Sequence, residues 1–207
     1  MNSEIAAAHF KGNCLNQLDS HERDNELMAQ IAIGNERALA ALTRAHSDQV
    51  HGLARRFTGN ASDAEEIAQE VFWTVWKSAK KWHPGKARFS TWLYRVTLNK
   101  CIDWDRRRRF KNFFSFSVPD DLIDNKPGAD QVIEDRNNLD VLRSHILKLP
   151  SRQRAALLLS SQMERSNKEI AAILEITPGA VEQLLVRARR TLRNALDTST
   201  ETMEVQS

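Results

Sequence analysis

Apolar residues recur at helical spacing through most of this chain. Leu27 and Ile31, Leu39 and Leu42, then Val50, Leu53 and Phe57 fall three or four positions apart, as one face of a helix requires. Gly34-Asn35 interrupts the pattern, so two helices are predicted here, and TGNA at Thr58–Ala61 reads as the turn that follows. Ser62 with Glu65 forms a capping box for a third helix, whose acidic first turn suits its positive N-terminal end. Ile67, Val71, Val75 and Ala79 make its apolar stripe, widened by Ala64, Ala68 and Phe72. Glu66, Gln69, Glu70 and Trp73 lie on another side. His83-Pro84-Gly85 breaks this helix and opens a short loop carrying Lys86 and Arg88. Ser90 is placed to cap the next helix, which passes through Trp92, Val96, Asn99 and Asp103 into Arg106–Arg109.

Periodicity then lapses. Residues 113–138 hold Pro119, Pro127, Gly128 and six acidic side chains, the composition of a linker. It resumes with Leu139, Leu142, Ile146 and Leu149, and Pro150 introduces SRQRAALLLSSQM. Ser166 and Glu169 form a second capping box, before Ile170, Ile173 and Leu174. After the turn Glu175-Ile176, Thr177 at the N-cap and Pro178 at the first helical position mark a new start. That last helix turns Val181, Leu184, Leu185, Ala188 and Leu192 inward, with Arg187, Arg189, Arg190 and Arg193 around them. Two short helices and a tight turn, the second helix basic, match a helix-turn-helix, although helical hairpins without DNA share this spacing. The predicted fold is all-α: two small helical domains, residues 22–112 and 139–196, joined by a flexible acidic linker over 113–138. Residues 1–21 form an N-terminal extension and 197–207 a C-terminal tail.

Composition supports helices, with seven Gly and five Pro in 207 residues and 41% hydrophobic content. The net charge of +3 conceals blocks of −1, +6, −5, +6 and −3 over 1–21, 22–112, 113–142, 143–196 and 197–207. Two basic blocks around an acidic one point to two domains facing nucleic acid and a tether that avoids it. Cys14 and Cys101 are far apart and form no CxxC pair, which argues against a disulfide scaffold or a cysteine zinc site. Cys101 reads as a small buried apolar residue. No apolar run is long enough for membrane insertion and no signal peptide is evident, so a cytoplasmic location is expected.

The densest chemistry lies in WHPGKARFSTWLYRVTLNKCIDWDRRRR, residues 82–109. From Trp76 to Lys111, twelve Lys or Arg stand against only Asp103 and Asp105. Cations hold a phosphate backbone, and aromatic rings give displaced bases a stacking surface. The combination points to an opened strand rather than to duplex alone. Four adjacent arginines repel one another, so a polyanion explains Arg106, Arg107, Arg108 and Arg109 better than solvent does. Catalysis is disfavoured. Asp103 and Asp105 point to different sides of a helix, Glu65 and Glu66 are adjacent, and the six histidines form no ligand spacing. No metal and no cofactor are expected.

Three segments in order resemble bacterial sigma factors of the extracytoplasmic-function type, within the sigma-70 family. DAEEIAQEVFWTVWKSAKKW resembles their region 2.2, ARFSTWLYRVTLNKCIDWDRRRR their regions 2.3 and 2.4, and LPSRQRAALLLSSQMERSNKEIAAILEITPGAVEQLLVRARRTLR their region 4. Together they cover roughly residues 24–196. The resemblance implies a non-enzymatic factor that binds core RNA polymerase, recognises the −35 and −10 promoter elements and promotes transcription initiation. It implies polymerase docking, on the coiled coil of the largest subunit, through Glu66, Gln69, Glu70, Phe72 and Trp76, with region 4 meeting the flap. It places Lys86, Arg88 and Phe89 in a loop that holds a base flipped from the −10 element, with Trp92, Arg95 and Asn99 on the reading helix. Asn supplies hydrogen bonds to a base edge that an apolar residue lacks. Trp92 is equally suited to packing and to DNA contact, whereas Trp104 is expected to pack against its domain. Arg106, Arg107, Arg108 and Arg109 follow as backbone contacts.

For the −35 element the resemblance implies Ser166, Thr177, Glu182, Gln183, Val186, Arg187 and Arg190. Here the chain departs from the pattern. Relatives commonly carry Lys or Arg, a small polar residue and Arg where this chain has Glu182, Gln183 and Leu184. Glu favours a cytosine amino group and Gln an adenine edge, so the −35 sequence is not transferable. Glu175 also replaces the usual turn glycine, so the turn must avoid a left-handed residue there or tolerate its cost. In the family the linker threads the polymerase's RNA exit path, where its carboxylates would imitate RNA phosphates; a merely soluble tether explains the same composition. An anti-sigma factor covering both domains is a further partner the resemblance allows. The alternative function is a helix-turn-helix DNA-binding regulator without sigma activity, which leaves Gln69, Glu70 and the aromatic-basic segment unexplained.

Overall fold

The computed structural model describes residues 20–85, 87–114, 133–163 and 165–204. Among them there is no strand. Helix α1 covers residues 20–32, followed by α2 (Glu36–Thr58), α3 (Ala61–Ser78), a single 3-10 turn (Ala79–Lys81) and α4 (Phe89–Phe114). The second half holds α5 (Ile133–Lys148), α6 (Ser151–Met163), α7 (Asn167–Leu174) and α8 (Pro178–Glu204).

The helix boundaries follow from local chemistry. Gly34 adopts φ 90° and ends α1; Asn35 then starts α2, its side chain accepting from the amides of Arg37 and Ala38. Gly59 (φ 78°) closes α2 by donating its amide to Arg55 O, a left-handed cap that glycine adopts without strain. Asn60 is already the cap of α3, accepting from Asp63 N at 3.1 Å. The predicted Ser62–Glu65 box is therefore displaced by two positions, because a single left-handed residue suffices for the turn and an earlier Asn takes the orphan amide. Likewise α4 begins at Phe89, so Ser90 lies inside its first turn, and Arg88 O accepts the first helical amide, from Trp92. The Ser166–Glu169 box and the Thr177 cap are as predicted: Ser166 N donates to Glu169 Oε2 at 2.9 Å, and Ala180 N donates to Thr177 Oγ1 at 3.2 Å.

The linker and tail borders shift. Residues 113–114 end α4 and 133–138 begin α5, inside the stretch expected to be linker, and α8 continues to Glu204 through most of the expected tail. Residues 115–132 and most of the N-terminal extension, Cys14 included, lie outside the described residues.

Helices α1–α4 bury Met28, Leu42, Phe57, Val71, Leu93 and Leu98 between them. The same cluster continues into α6–α8 through Ala155, Leu159, Ile170 and Val181, so the two helical units share one core. A smaller cluster of Leu149, Ala188 and Leu192 fastens α5 and α6 to α8. Arg154 is the joint: it is 2% exposed, donates to Leu149 O (3.0 Å) and Leu147 O, and reaches Phe57 O on α2 at 2.9 Å. A buried cation without partners would be prohibitively costly, and here carbonyl oxygens and the nearby Asp105 carboxylate supply them. Cys101 is buried as predicted, and burial pushes its thiol up to about 12.

Candidate polymerase and nucleic-acid interfaces

Helix α3 presents two faces. Ala64, Ile67, Val71 and Val75 are in the core, while Glu66 and Gln69 are exposed. Glu70 is half-buried and accepts from Lys100 Nζ at 2.9 Å, with Arg107 Nη2 at 3.6 Å. The Lys100 hydrogen bond, opposed by partial burial and helped by the charges of Lys100 and Arg107, holds its carboxyl below the usual value. Phe72 and Trp76, predicted for the docking face, are half-buried and pack against the core. The outward ring is Trp73, 58% exposed, with Lys77 Nζ 4.9 Å from its centroid. Its position four after Gln69 is the sequence signal that put it on the polar face.

The aromatic residues before and within α4 divide by depth. Phe89, predicted as a loop residue for a flipped base, is fully buried at the first position of α4. Its ring lies 5.2 Å from His46, 5.7 Å from Trp82 and 5.7 Å from Trp92. No face of it is left for a base to stack on in this structure, because the loop ends one residue earlier than expected. Trp92 is half-buried, 5.4 Å from Trp82, so it combines packing with an accessible edge. Trp82 donates to Asn25 Oδ1 at 3.0 Å, tying the cluster to α1. Behind it, Asp24 is 6% exposed and meets His46 Nε2 at 2.8 Å. Burial lowers the His46 pKa, but the Asp24 hydrogen bond and charge, with Gln49, outweigh it and leave it raised from 6.5.

Lys86 lies outside the described residues; Arg88 is exposed at the loop's end. Asn99 is exposed on α4, one turn beyond Arg95, which pairs with Glu175 at 2.5 Å. Trp104 packs against the domain as expected and donates to Asp63 Oδ1 at 3.2 Å. The arginine run is exposed but not bare. Arg106 meets Asp103 at 3.0 Å, Arg107 meets Glu70, Arg108 stacks over Trp104 at 5.4 Å, and Arg109 meets Asp105 at 2.9 Å. Asp103 and Asp105 do face different ways, the first half in solvent and the second 6% exposed. Among the described residues no group of three His, Cys, Asp or Glu is arranged to hold a metal ion.

At the other end, α7 and α8 form the predicted helix-turn-helix. Glu182, Gln183, Val186, Arg187 and Arg190 are exposed on α8, and Val186 at 63% is unusually open for its type. Ser166 and Thr177 are engaged as caps at the two helix starts. Glu182 accepts from Asn167 Nδ2 at 3.3 Å, across the mouth of the motif. Glu175 takes the left-handed conformation, φ 53°, that a turn glycine would adopt. The turn tolerates the cost rather than avoiding it. What the residue pattern did not reveal is that Glu175 and Arg165 reach α4.

A family model described as Sigma-70 region 2 matches residues 42–111, and one described as Sigma-70, region 4, matches residues 139–192. The chain is 29% identical over 191 residues to the RNA polymerase sigma factor CnrH of Cupriavidus metallidurans, covering 89% of this chain and all of that one. It is 31% identical over 177 residues to the ECF RNA polymerase sigma factor SigM of Mycobacterium tuberculosis, covering 85% of this chain and 86% of that one. The solved structure of CnrH in complex with the cytosolic domain of CnrY superposes with a TM-score of 0.59 at 28% identity, over 85% of this chain and 98% of that one. Region 2 falls on α2–α4, with the acidic face and the aromatic-basic helix, and region 4 on α5–α8, with the helix-turn-helix. The chain belongs to the sigma-70 family, as an extracytoplasmic-function sigma factor that serves RNA polymerase in promoter recognition and transcription initiation.

Proposed function

We propose that the three exposed surfaces divide the work of initiation between them. Glu66, Gln69 and Trp73 on α3 dock on the coiled coil of the largest polymerase subunit, with Glu70, Phe72 and Trp76 setting the shape of that face from behind. Helix α4 takes the −10 element: Asn99 and Arg95 meet base edges or phosphate, Trp92 offers ring surface, and the cations Lys86 and Arg88 meet the displaced strand. Arg106–Arg109 hold the backbone. On α8, Glu182, Gln183, Val186, Arg187 and Arg190 enter the major groove at −35, Val186 suiting a thymine methyl. Ser166 and Thr177 sit at the two helix N-termini, where backbone amides meet phosphate, and region 4 touches the flap.

The observation that carries this is the order of surfaces on one chain. An acidic face with an outward Trp, a cation-rich helix with an exposed Asn, and a basic helix-turn-helix follow one another. A simple DNA-binding regulator needs only the last. The family's sigma factors are not enzymes, so binding must do the work here. Among the described residues no helix is long and apolar enough to cross a membrane, and the proposed partners place the chain in the cytoplasm. CnrH was solved bound to the cytosolic domain of CnrY, which supports an anti-sigma partner for this chain as well.

Pull-down with core polymerase tests the reading. Wild-type chain is expected to be retained, and Glu66→Lys with Trp73→Ala to lose at least tenfold in retention while still binding DNA. If wild-type chain binds promoter DNA but never core polymerase, it is a helix-turn-helix regulator instead.

A further inference from the structure

Helix α7 lies against α4, the helix assigned above to the −10 strand. Glu175 Oε1 is 2.5 Å from Arg95 Nη1, and the Arg165 guanidinium stacks 4.6 Å from the Tyr94 ring. A more buried joint stands beside these contacts. Asp105 on α4 accepts from Ser151 Oγ, in the first turn of α6, at 2.5 Å and lies 3.6 Å from Arg154. The carboxylate thus meets the positive end of a helix in the other half of the chain.

Glu175 is the informative member. It is the only non-glycine residue with positive φ among those described. A side chain strains the backbone in that conformation, and glycine would relieve it. Strain of this kind persists where the residue performs something else. Here its carboxylate occupies the guanidinium that would otherwise meet a phosphate or a base edge. Geometry also requires the halves to part. The −35 and −10 elements lie roughly 85 Å apart along B-DNA, at about 3.4 Å per base pair. A chain whose −35 reader is packed on its −10 reader through a shared apolar core, with an ion pair at its edge, cannot occupy both.

We propose that Glu175 is a self-inhibitory latch: in the free chain it adds to the apolar core that holds the helix-turn-helix on α4 and fills Arg95 with an internal phosphate mimic. The Asp105–Ser151–Arg154 joint sets the register, and opening exposes both readers together. This rests on the reading of α4 as the −10 helix. An exposed ion pair contributes little, so the latch biases the closed state rather than sealing it.

The test uses the full chain with Cys14→Ser, spin-labelled at Ser62→Cys on α3 and Arg189→Cys on α8. The inter-label distance distribution is then measured by pulsed electron resonance. The parent is expected to give one narrow distance. Glu175→Gly, which relieves strain and therefore keeps or raises the melting temperature, is expected to increase the long-distance fraction about two- to fivefold. Asp105→Ala is expected to increase it further. Affinity for a labelled mixed-sequence single strand should rise with the open fraction. A parent distribution that is already broad, or variant distributions identical to the parent's, overturns the latch. Run-off transcription with core polymerase separates the two claims. Active variants with unchanged distances remove the latch and leave the sigma reading, whereas opened variants and a parent that never transcribe do the reverse.

Discussion

Phe89→Ala is the sharpest probe of how the aromatic segment is used. The ring is fully buried and contacts His46, Trp82 and Trp92. A Phe side chain removes about 150–250 Å² from water. At about 25 cal/mol per Å² that is an upper bound of about 4–6 kcal/mol. Buried Phe→Ala changes cost about 3–5 kcal/mol once the cavity is included, so a loss of about 4 kcal/mol is expected. With a urea m-value of about 2 kcal/mol/M, the midpoint should fall by about 2 M at constant m. Phe89→Leu refills most of the volume and should cost under about 1.5 kcal/mol. Its promoter melting, followed by permanganate reactivity of unpaired thymines, should then match wild type. A midpoint shift of less than about 0.5 M for Phe89→Ala would refute the buried role of the ring. So would a stable Phe89→Leu that cannot open the −10 region, because the ring would then be acting on a base.

Other consequences are equally direct. Gly59→Ala places a methyl 2.6 Å from Leu147 Cδ1 at φ 78°, and is expected to lose about 1–2 kcal/mol by urea denaturation from backbone strain alone. The raised pKa of His46 means that folding takes up a proton on this side chain. Its stabilisation is complete below pH 6.5 and is lost as pH rises through the folded value, so urea midpoints should decline from pH 6 upward and Asp24→Asn should flatten that decline. Arg106→Gln with Arg108→Gln should weaken binding to all promoters alike and reduce the salt slope by about 0.7–0.9 for each phosphate no longer neutralised.

Much of this architecture is legible in residue order because local signals and tertiary packing agree. The apolar stripe Ile67, Val71, Val75 is buried as its spacing predicts, and Thr177-Pro178 starts a helix because cap and fixed φ act together. Boundaries slipped where two cap residues competed: Asn60 prevailed over Ser62 because Gly59 ended the preceding helix at once. Phe89 misled for a different reason. A ring beside Lys86 and Arg88 has the composition of a stacking site, but depth depends on Asn25 and His46 arriving from other helices and on Trp82 from the preceding loop. Pairings such as Asp24–His46, Arg154–Phe57 and Arg95–Glu175 span 22, 97 and 80 positions, and no local pattern encodes them.

Promoter-specific initiation is the activity on which everything else depends, and run-off transcription measures it. Core polymerase with this chain, on a library of promoter fragments from the source genome, should yield discrete transcripts whose starts share a −35 and a −10 element. Asn99→Ala should remove the preference at −10, and Gln183→Ala that at −35. Wild-type chain that binds those fragments tightly yet gives no transcript above core polymerase alone would contradict it.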